Sequence, residues 1–131
     1  MRRKATALLV LLALVLAACG GGGGSAEPEA TQAPGAAVGD PVRGEELFQG
    51  TCVACHGADA TGVEGLGKDL TNSQFIQGLS DQELADFIKT GRPTSDPENT
   101  TGVDMPPKGG NPSLSDQDLL DIASYLRTLG N

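Results

Sequence analysis

The chain has 131 residues, enough for one small domain, with three Phe, one Tyr and no Trp to build a core. Seventeen Asp and Glu against nine Lys and Arg give a formal net charge of −8, which argues against binding to nucleic acid or to anionic lipid through charge. A domain with so little apolar bulk needs a further source of stability, and a large buried prosthetic group would supply it.

Residues 1–18 have the composition of a bacterial export signal. Three basic residues follow Met1, and the mostly apolar run Ala5–Ala18 is too short to span a bilayer. The run leads into Cys19 in a sequence that resembles a lipobox, in which the cysteine is lipidated and becomes the first mature residue. We therefore expect a signal peptide at 1–18 and lipidation of Cys19. The alternative is cleavage after small residues, which leaves Cys19 as a stray thiol.

Residues 19–39 have the composition of a tether. Five consecutive glycines at 20–24 are followed mainly by Ala, Glu, Pro, Thr and Gln, without apolar periodicity. Such a composition predicts a flexible linker. The folded domain is then expected over 40–131.

The first helix is predicted to begin at Asp40-Pro41, because Asp is a good N-cap and Pro fits the first helical position. Val42, Leu47 and Phe48 are expected to form its apolar side. Gly44 and Phe48 lie four residues apart and should therefore share one face of this helix.

The strongest motif is Cys52-Val53-Ala54-Cys55-His56, which has the spacing of a c-type haem attachment site. Each cysteine sulfur can add to one haem vinyl group, and the histidine can then coordinate the iron. A thiol–disulfide pair also uses two cysteines at this spacing, but it has no need of the histidine. A structural zinc site needs four ligands, and Cys52, Cys55 and His56 supply three.

Two later segments, 79–84 and 114–119, read Leu-Ser-Asp-Gln-Glu-Leu and Leu-Ser-Asp-Gln-Asp-Leu. Each has a serine that can cap a helix and an acidic residue three positions later, which predicts a helix start with a capping box. We expect the two helices to end at Gly91 and Gly130.

The segments 57–78 and 92–112 are rich in helix breakers and are expected to form loops. The second contains Met105, followed by two prolines that stiffen the chain. His56 is the only histidine, and Met105 is the only methionine once the signal peptide is removed. If an iron is bound, a second histidine ligand from this chain is therefore excluded, and a thioether can come only from Met105.

Two alternatives for this position remain open. Met105 could simply fill a gap in the core, or one of three lysines could be the second axial ligand: Lys68, Lys89 or Lys108.

Over residues 40–129 the chain resembles the small monohaem class I cytochromes c of bacterial respiratory chains. The matching features are the motif 52–57, Gly44 and Phe48 before it, Met105-Pro106, and Tyr125-Leu126 in the last predicted helix. The resemblance implies an all-α, class I cytochrome c fold, with about three to four helices around one covalently attached haem c.

The same resemblance implies how the parts are used. The first helix would cross the last one at Gly44, and His56 and Met105 would be the axial ligands of the haem iron. A backbone carbonyl from the loop after the motif would orient His56. In this chain that stretch is 66–70, with a lysine where proline is common.

With both axial positions filled, no site remains for a substrate, so the predicted function is one-electron transfer and not enzymatic catalysis. Expected partners are redox proteins with a basic docking surface, and we expect no nucleic acid and no small-molecule substrate. The lipid on Cys19 would hold the protein to the membrane on its periplasmic or extracytoplasmic side.

Two other functions stay open. The chain could be a fixed monohaem subunit of a larger respiratory or photosynthetic oxidoreductase complex, or a ligand-binding or peroxidatic haem protein with an open site. Arg92, Lys89 and Lys108 are candidates for neutralising the haem propionates.

Overall fold

The computed structural model describes residues 38–130. The predicted signal peptide, Cys19 and most of the predicted tether lie outside the described residues. Within them the chain forms five α-helices: α1 (Pro41–Thr51), α2 (Val53–His56), α3 (Gln74–Gly78), α4 (Asp81–Thr90) and α5 (Asp116–Leu129). Pro107–Gly110 forms a tight, kinked turn in which Lys108 and Gly109 have positive φ. In this range the only β-type pairings are two isolated bridges, so the predicted all-α class is confirmed.

None of these five helices is long and apolar enough to cross a bilayer.

The structure has five α-helices where three to four were expected. The additional helices are α2 and α3, which are single turns. A turn this short carries too few residues to show helical periodicity in the sequence. The helix α3 lies inside a segment expected to be a loop, and its start is fixed by Ser73, whose hydroxyl accepts a hydrogen bond from the Ile76 amide at 3.3 Å.

The capping residues set the limits of the longer helices where the sequence predicts them. The Asp40 side chain accepts hydrogen bonds from the amides of Val42 and Arg43 at the start of α1. Complete capping boxes begin α4 and α5, and Gly91 and Gly130 follow their last residues. Aspartate therefore closes the second box as well as glutamate closes the first.

The crossing of α1 and α5 depends on Gly44. A Cβ atom at this position would lie 1.9 Å from the carbonyl oxygen of Asp121, so only glycine allows the two backbones to approach this closely. Phe48, one turn later, is fully buried, and its ring centroid lies 5.4 Å from that of Tyr125. The crossing implied by the resemblance is therefore present.

The expectation that Val42 belongs to the apolar side of α1 is wrong, because its side chain is 70% exposed. Val42 precedes Gly44 by two residues, which is about 200° around the helix and places it on the opposite side. Gly39 is buried instead, and a Cβ there would lie 2.1 Å from the carbonyl oxygen of Leu120. The last residue of the predicted tether is thus packed against α5.

Charged groups also join α1 to α5. Arg43 donates a hydrogen bond to Asp118 and lies 3.1 Å from the buried carboxylate of Asp121. The Asp121 carboxylate accepts a further hydrogen bond from the Asp40 amide at 2.9 Å. The hydrogen bonds from Arg43 and Ser115 lower the pKa of Asp118 to about 2, so this carboxylate stays ionised over the physiological range.

The buried core consists mainly of residues from α1, α4 and α5, including Phe48, Leu84, Ile88, Leu119, Ile122 and Leu126. Met105 and Leu70, from the two long loops, pack against it and are partly buried. The three longer helices thus form a common core against which both loops pack.

We predict that Gly44→Ala lowers the free energy of unfolding by about 1–3 kcal/mol, because the added methyl group must push α1 away from α5. The measurement is denaturant unfolding of the purified protein, followed by circular dichroism.

The matched control is Gly50→Ala in the same helix, where a Cβ would meet no atom within 4 Å. This substitution should leave stability unchanged or raise it by up to about 1 kcal/mol, as expected for an exposed helical glycine. Equal effects of the two substitutions would show that the close crossing does not limit stability.

Candidate functional site

The two thiols and the imidazole are placed together by one helical turn. The amide of His56 donates to the carbonyl of Cys52 at 3.0 Å, and the amide of Gly57 donates to Val53 at 2.9 Å. Residues three and four apart share one face of a helix. Cys52, Cys55 and His56 accordingly line the same cavity.

The imidazole of His56 is oriented by a backbone carbonyl. Its Nδ1 atom lies 2.9 Å from the carbonyl oxygen of Lys68. Because a carbonyl oxygen only accepts hydrogen bonds, Nδ1 must carry the proton, which leaves the Nε2 lone pair free to bind a metal. The carbonyl that the sequence left undetermined within 66–70 is therefore that of Lys68.

The loop after the motif reaches His56 because Gly67 packs directly against the motif. A Cβ at Gly67 would lie 2.1 Å from the carbonyl oxygen of Cys55. The amide of Val63 lies within hydrogen-bonding distance of the carbonyls of both Cys55 and Gly67, at 3.1 Å each. The missing side chain of Gly67 thus lets the next residue, Lys68, bring its carbonyl to the imidazole.

Within the second loop, Met105 is held by a reciprocal pair of backbone hydrogen bonds with Arg92, at 2.8 and 2.9 Å. Gly91 makes room for this pairing, since it has a φ of +74° and a Cβ there would lie 2.2 Å from the Met105 carbonyl oxygen. Met105 lines the same cavity as Cys52, Cys55 and His56. The structure therefore brings together all four residues that the sequence predicts for the haem.

The cavity is mostly apolar. Its empty volume, counted out to the open mouth, is about 1310 Å³. The helices contribute Phe48, Leu84, Phe87, Ile88, Ile122 and Leu126, and the loops contribute Leu66 and Leu70. A cavity of this kind suits a large, flat, apolar group with a polar edge, and such a group would complete the sparse core.

One of the three cations considered for the propionates lies at this cavity. The Arg92 guanidinium packs over the rings of Phe75 and Phe87, 4.7 and 4.9 Å from their centroids, and lines the cavity wall. Lys89 instead pairs with Asp116 at 2.7 Å, and Lys108 donates to the carbonyl of Leu114 at 2.6 Å. Neither of these lysines lines the cavity.

The environment of Cys52 disfavours a thiolate. Burial, with a smaller contribution from Cys55, raises its pKa to about 11, so the group is a neutral thiol at physiological pH. Reactive redox cysteines need a low pKa. Among the described residues, no group of three or more His, Cys, Asp or Glu side chains is arranged to hold a metal ion.

The residues present therefore fit a c-type haem. Two unpaired thiols are available for thioether bonds, one imidazole offers a free Nε2, and one thioether faces the same apolar cavity. A nitrogen and a soft sulfur donor form one of the ligand pairs found in haem electron carriers.

Comparison with known proteins also supports a c-type haem site. The model of the cytochrome c family matches residues 41–130. Cytochrome c-551 of Bacillus subtilis is 36% identical over 93 residues, which cover 70% of this chain and 79% of that protein. Cytochrome c-554(548) of Halomonas halodenitrificans is 37% identical over 87 residues, which cover 66% and 93%.

A third relative is much longer. The cbb3-type cytochrome c oxidase subunit CcoP of Rhodobacter capsulatus is 32% identical over 88 residues, which cover 66% of this chain. The chain spans only 28% of that subunit. No solved structure shows a significant match.

Sequence reasoning missed several residues that shape the site. The sequence indicates only that Gly67 breaks a helix and that Gly91 ends one. In the structure each glycine allows a close backbone contact, which positions the Lys68 carbonyl at His56 in the first case and Met105 in the second. The stacking of Arg92 on Phe75 and Phe87 was also missed, because the three residues belong to different predicted elements and no periodic pattern links them.

We predict that Gly67→Ala weakens the hydrogen bond between His56 and Lys68, because the new methyl group forces the loop away from Cys55. His56 is the only histidine in the chain, so its Nδ1 proton can be followed by nuclear magnetic resonance after ¹⁵N-histidine labelling. Exchange of this proton with solvent should become faster in the variant.

Gly78→Ala is the matched control, since a Cβ at that position would meet no atom within 4 Å. The control should leave the exchange rate unchanged. An unchanged rate in Gly67→Ala would mean that this glycine does not govern the position of the Lys68 carbonyl.

Proposed function

This chain belongs to the cytochrome c family, whose members carry covalently attached c-type haem, and we propose that it transfers single electrons on one such haem. In this proposal Cys52 and Cys55 form the two thioether bonds, and His56 and Met105 are the axial ligands. The observation that carries it is the arrangement of one free imidazole nitrogen and one thioether on a single apolar cavity that also contains both thiols.

The haem supplies the one-electron oxidation and reduction, and the residues of the chain set its environment. The carbonyl of Lys68 keeps His56 in one orientation and makes its Nε2 a better donor. The Arg92–Met105 backbone pair limits the movement of the thioether. With both donors bound to the iron, no coordination position would remain for a substrate.

The axial role of Met105 predicts a spectral change on substitution. The oxidised wild-type protein should show the weak sulfur-to-iron absorption band at the red end of the spectrum. Met105→Leu should abolish this band, lower the reduction potential and allow the reduced protein to bind carbon monoxide at neutral pH.

Val103→Ala is the control, because Val103 lines the same cavity and belongs to the same loop but offers no donor atom. It should retain the band and exclude carbon monoxide. Carbon monoxide binding by the reduced wild-type protein would instead favour an open-site ligand-binding or peroxidatic function.

Both modes of electron transfer considered from the sequence have support among the relatives. The two small cytochromes c are matched over most of their own length, which favours an independent carrier. The match to the CcoP subunit favours a fixed subunit of an oxidase complex. We propose the carrier, with redox partners that present a basic surface to its acidic one, and keep the fixed subunit as the alternative.

We further propose that the protein is exported and held on the extracytoplasmic side of the membrane by lipid on Cys19. The support is the sequence of 1–18, the lipobox-like residues before Cys19 and the following glycine-rich stretch. Such a tether would let a small domain reach partners in the same membrane.

Membrane fractionation followed by mild detergent extraction separates these possibilities. We expect the wild type in the membrane fraction, and Cys19→Ser in the soluble fraction with its haem absorption unchanged. After extraction, a carrier should migrate alone. Stoichiometric co-purification with oxidase subunits would establish the alternative, and a soluble wild type would contradict the lipid anchor.

A further inference from the structure

We propose that Lys68 is a positioning residue that couples the loop orienting His56 to the loop carrying Met105 and thereby holds Met105 in place. The inference rests on the proposed function, because it takes His56 and Met105 as the axial donors. The evidence is that Lys68 makes two contacts. Its backbone carbonyl contacts His56, and its side chain contacts the loop that carries Met105.

The backbone contact of Lys68 is with the His56 imidazole. The Lys68 carbonyl oxygen lies 2.9 Å from Nδ1 of His56 and fixes the orientation of the ring. The loop cannot easily move away, because Gly67 is packed against the backbone of Cys55. Lys68 is therefore anchored at the motif itself.

The side-chain contact of Lys68 is with the loop that carries Met105. Lys68 Nζ donates a hydrogen bond of 3.0 Å to the carbonyl oxygen of Glu98, thirty residues further along. Glu98 lies in the loop between Arg92 and Met105, the two residues that pair through their backbones. Lys68 lines the cavity, as do Glu98 and Met105, so its side chain connects the two loops at the site.

Side-chain hydrogen bonds from Asn99 cross-link the loop between Arg92 and Met105, which we call the methionine loop. The Asn99 side-chain amide donates to the carbonyls of Val103 at 2.8 Å and Pro93 at 3.3 Å, on the two arms of the loop. The Asn99 side-chain oxygen accepts from the Gly102 amide at 3.0 Å. A constraint applied at Glu98 is thus transmitted to both arms, and one of these arms ends at Met105.

Glu98 is also the meeting point of two cationic side chains. Arg92 Nη1 lies 3.3 Å from the same carbonyl oxygen, but Arg92 belongs to the methionine loop itself. Lys68 therefore supplies the contact that comes from the opposite loop. Hydrogen bonds from a charged donor are stronger than neutral ones, so this contact can couple the loops although both residues are exposed.

The test uses Lys68→Leu, which removes the donor but keeps the backbone carbonyl that binds His56. The matched control is Lys89→Leu. Lys89 is also an exposed lysine with a contact to another element, here Asp116, but it lies outside the cavity. Both variants remove one positive charge. Lys68→Arg is the conservative variant, because a guanidinium N–H can donate to the Glu98 carbonyl.

Two measurements are made on the haem-containing protein. The first is hydrogen exchange at the amides of Arg92 and Met105, which form the backbone pair. The second is the affinity of the oxidised protein for imidazole, which competes with Met105 for the iron. Lys68→Leu should raise both by roughly two- to tenfold, the range expected for the loss of one partly exposed hydrogen bond. Lys89→Leu and Lys68→Arg should match the wild type.

The outcomes separate this inference from the proposed function. A wild type without the sulfur-to-iron band would contradict the role of Met105 as a ligand, whatever the variants do. Amide exchange in Lys68→Leu equal to that in Lys89→Leu would overturn the coupling of the loops. Faster exchange with unchanged imidazole affinity would overturn the claim that the coupling holds Met105.

Discussion

The site depends on one constraint, the single helical turn from Cys52 to His56. Because the His56 amide bonds to the Cys52 carbonyl, both thiols and the imidazole must face one cavity. The turn follows α1 directly, and the Cys52 amide still donates to Phe48, a residue buried in the crossing with α5. The position of the motif is therefore set by the packing of the first helix against the last.

The two loops are placed by the same framework. On one side Gly67 lies against Cys55, so the carbonyl of the next residue reaches His56. On the other side Gly91 ends α4 and allows the chain to pair with Met105. The orientation of His56 and the position of Met105 are thus each set by a loop that a close backbone contact fixes to a helix. The small number of aromatic residues is consistent with a small domain built around a large apolar group.

Local chemistry made much of the fold predictable. Asp40, Ser80 and Ser115 determine helix starts through hydrogen bonds within one turn, so the sequence alone identifies them. The haem motif was equally readable, because its spacing reflects the geometry of the cofactor. The Lys68 carbonyl could not be assigned in advance, since any residue can supply a backbone carbonyl. Val42 was misplaced because its apolar character says nothing about which side of α1 faces α5.

The most direct test of the account is the mass of the proteolytic peptide that contains residues 52–56, measured after denaturation of the purified protein. Denaturation releases any haem that is not covalently bound, so only thioether-linked haem stays on the peptide. We expect the peptide to carry the added mass of one haem, and the same peptide from a Cys52→Ala/Cys55→Ala variant to carry none. A wild-type peptide at the bare polypeptide mass would contradict the account.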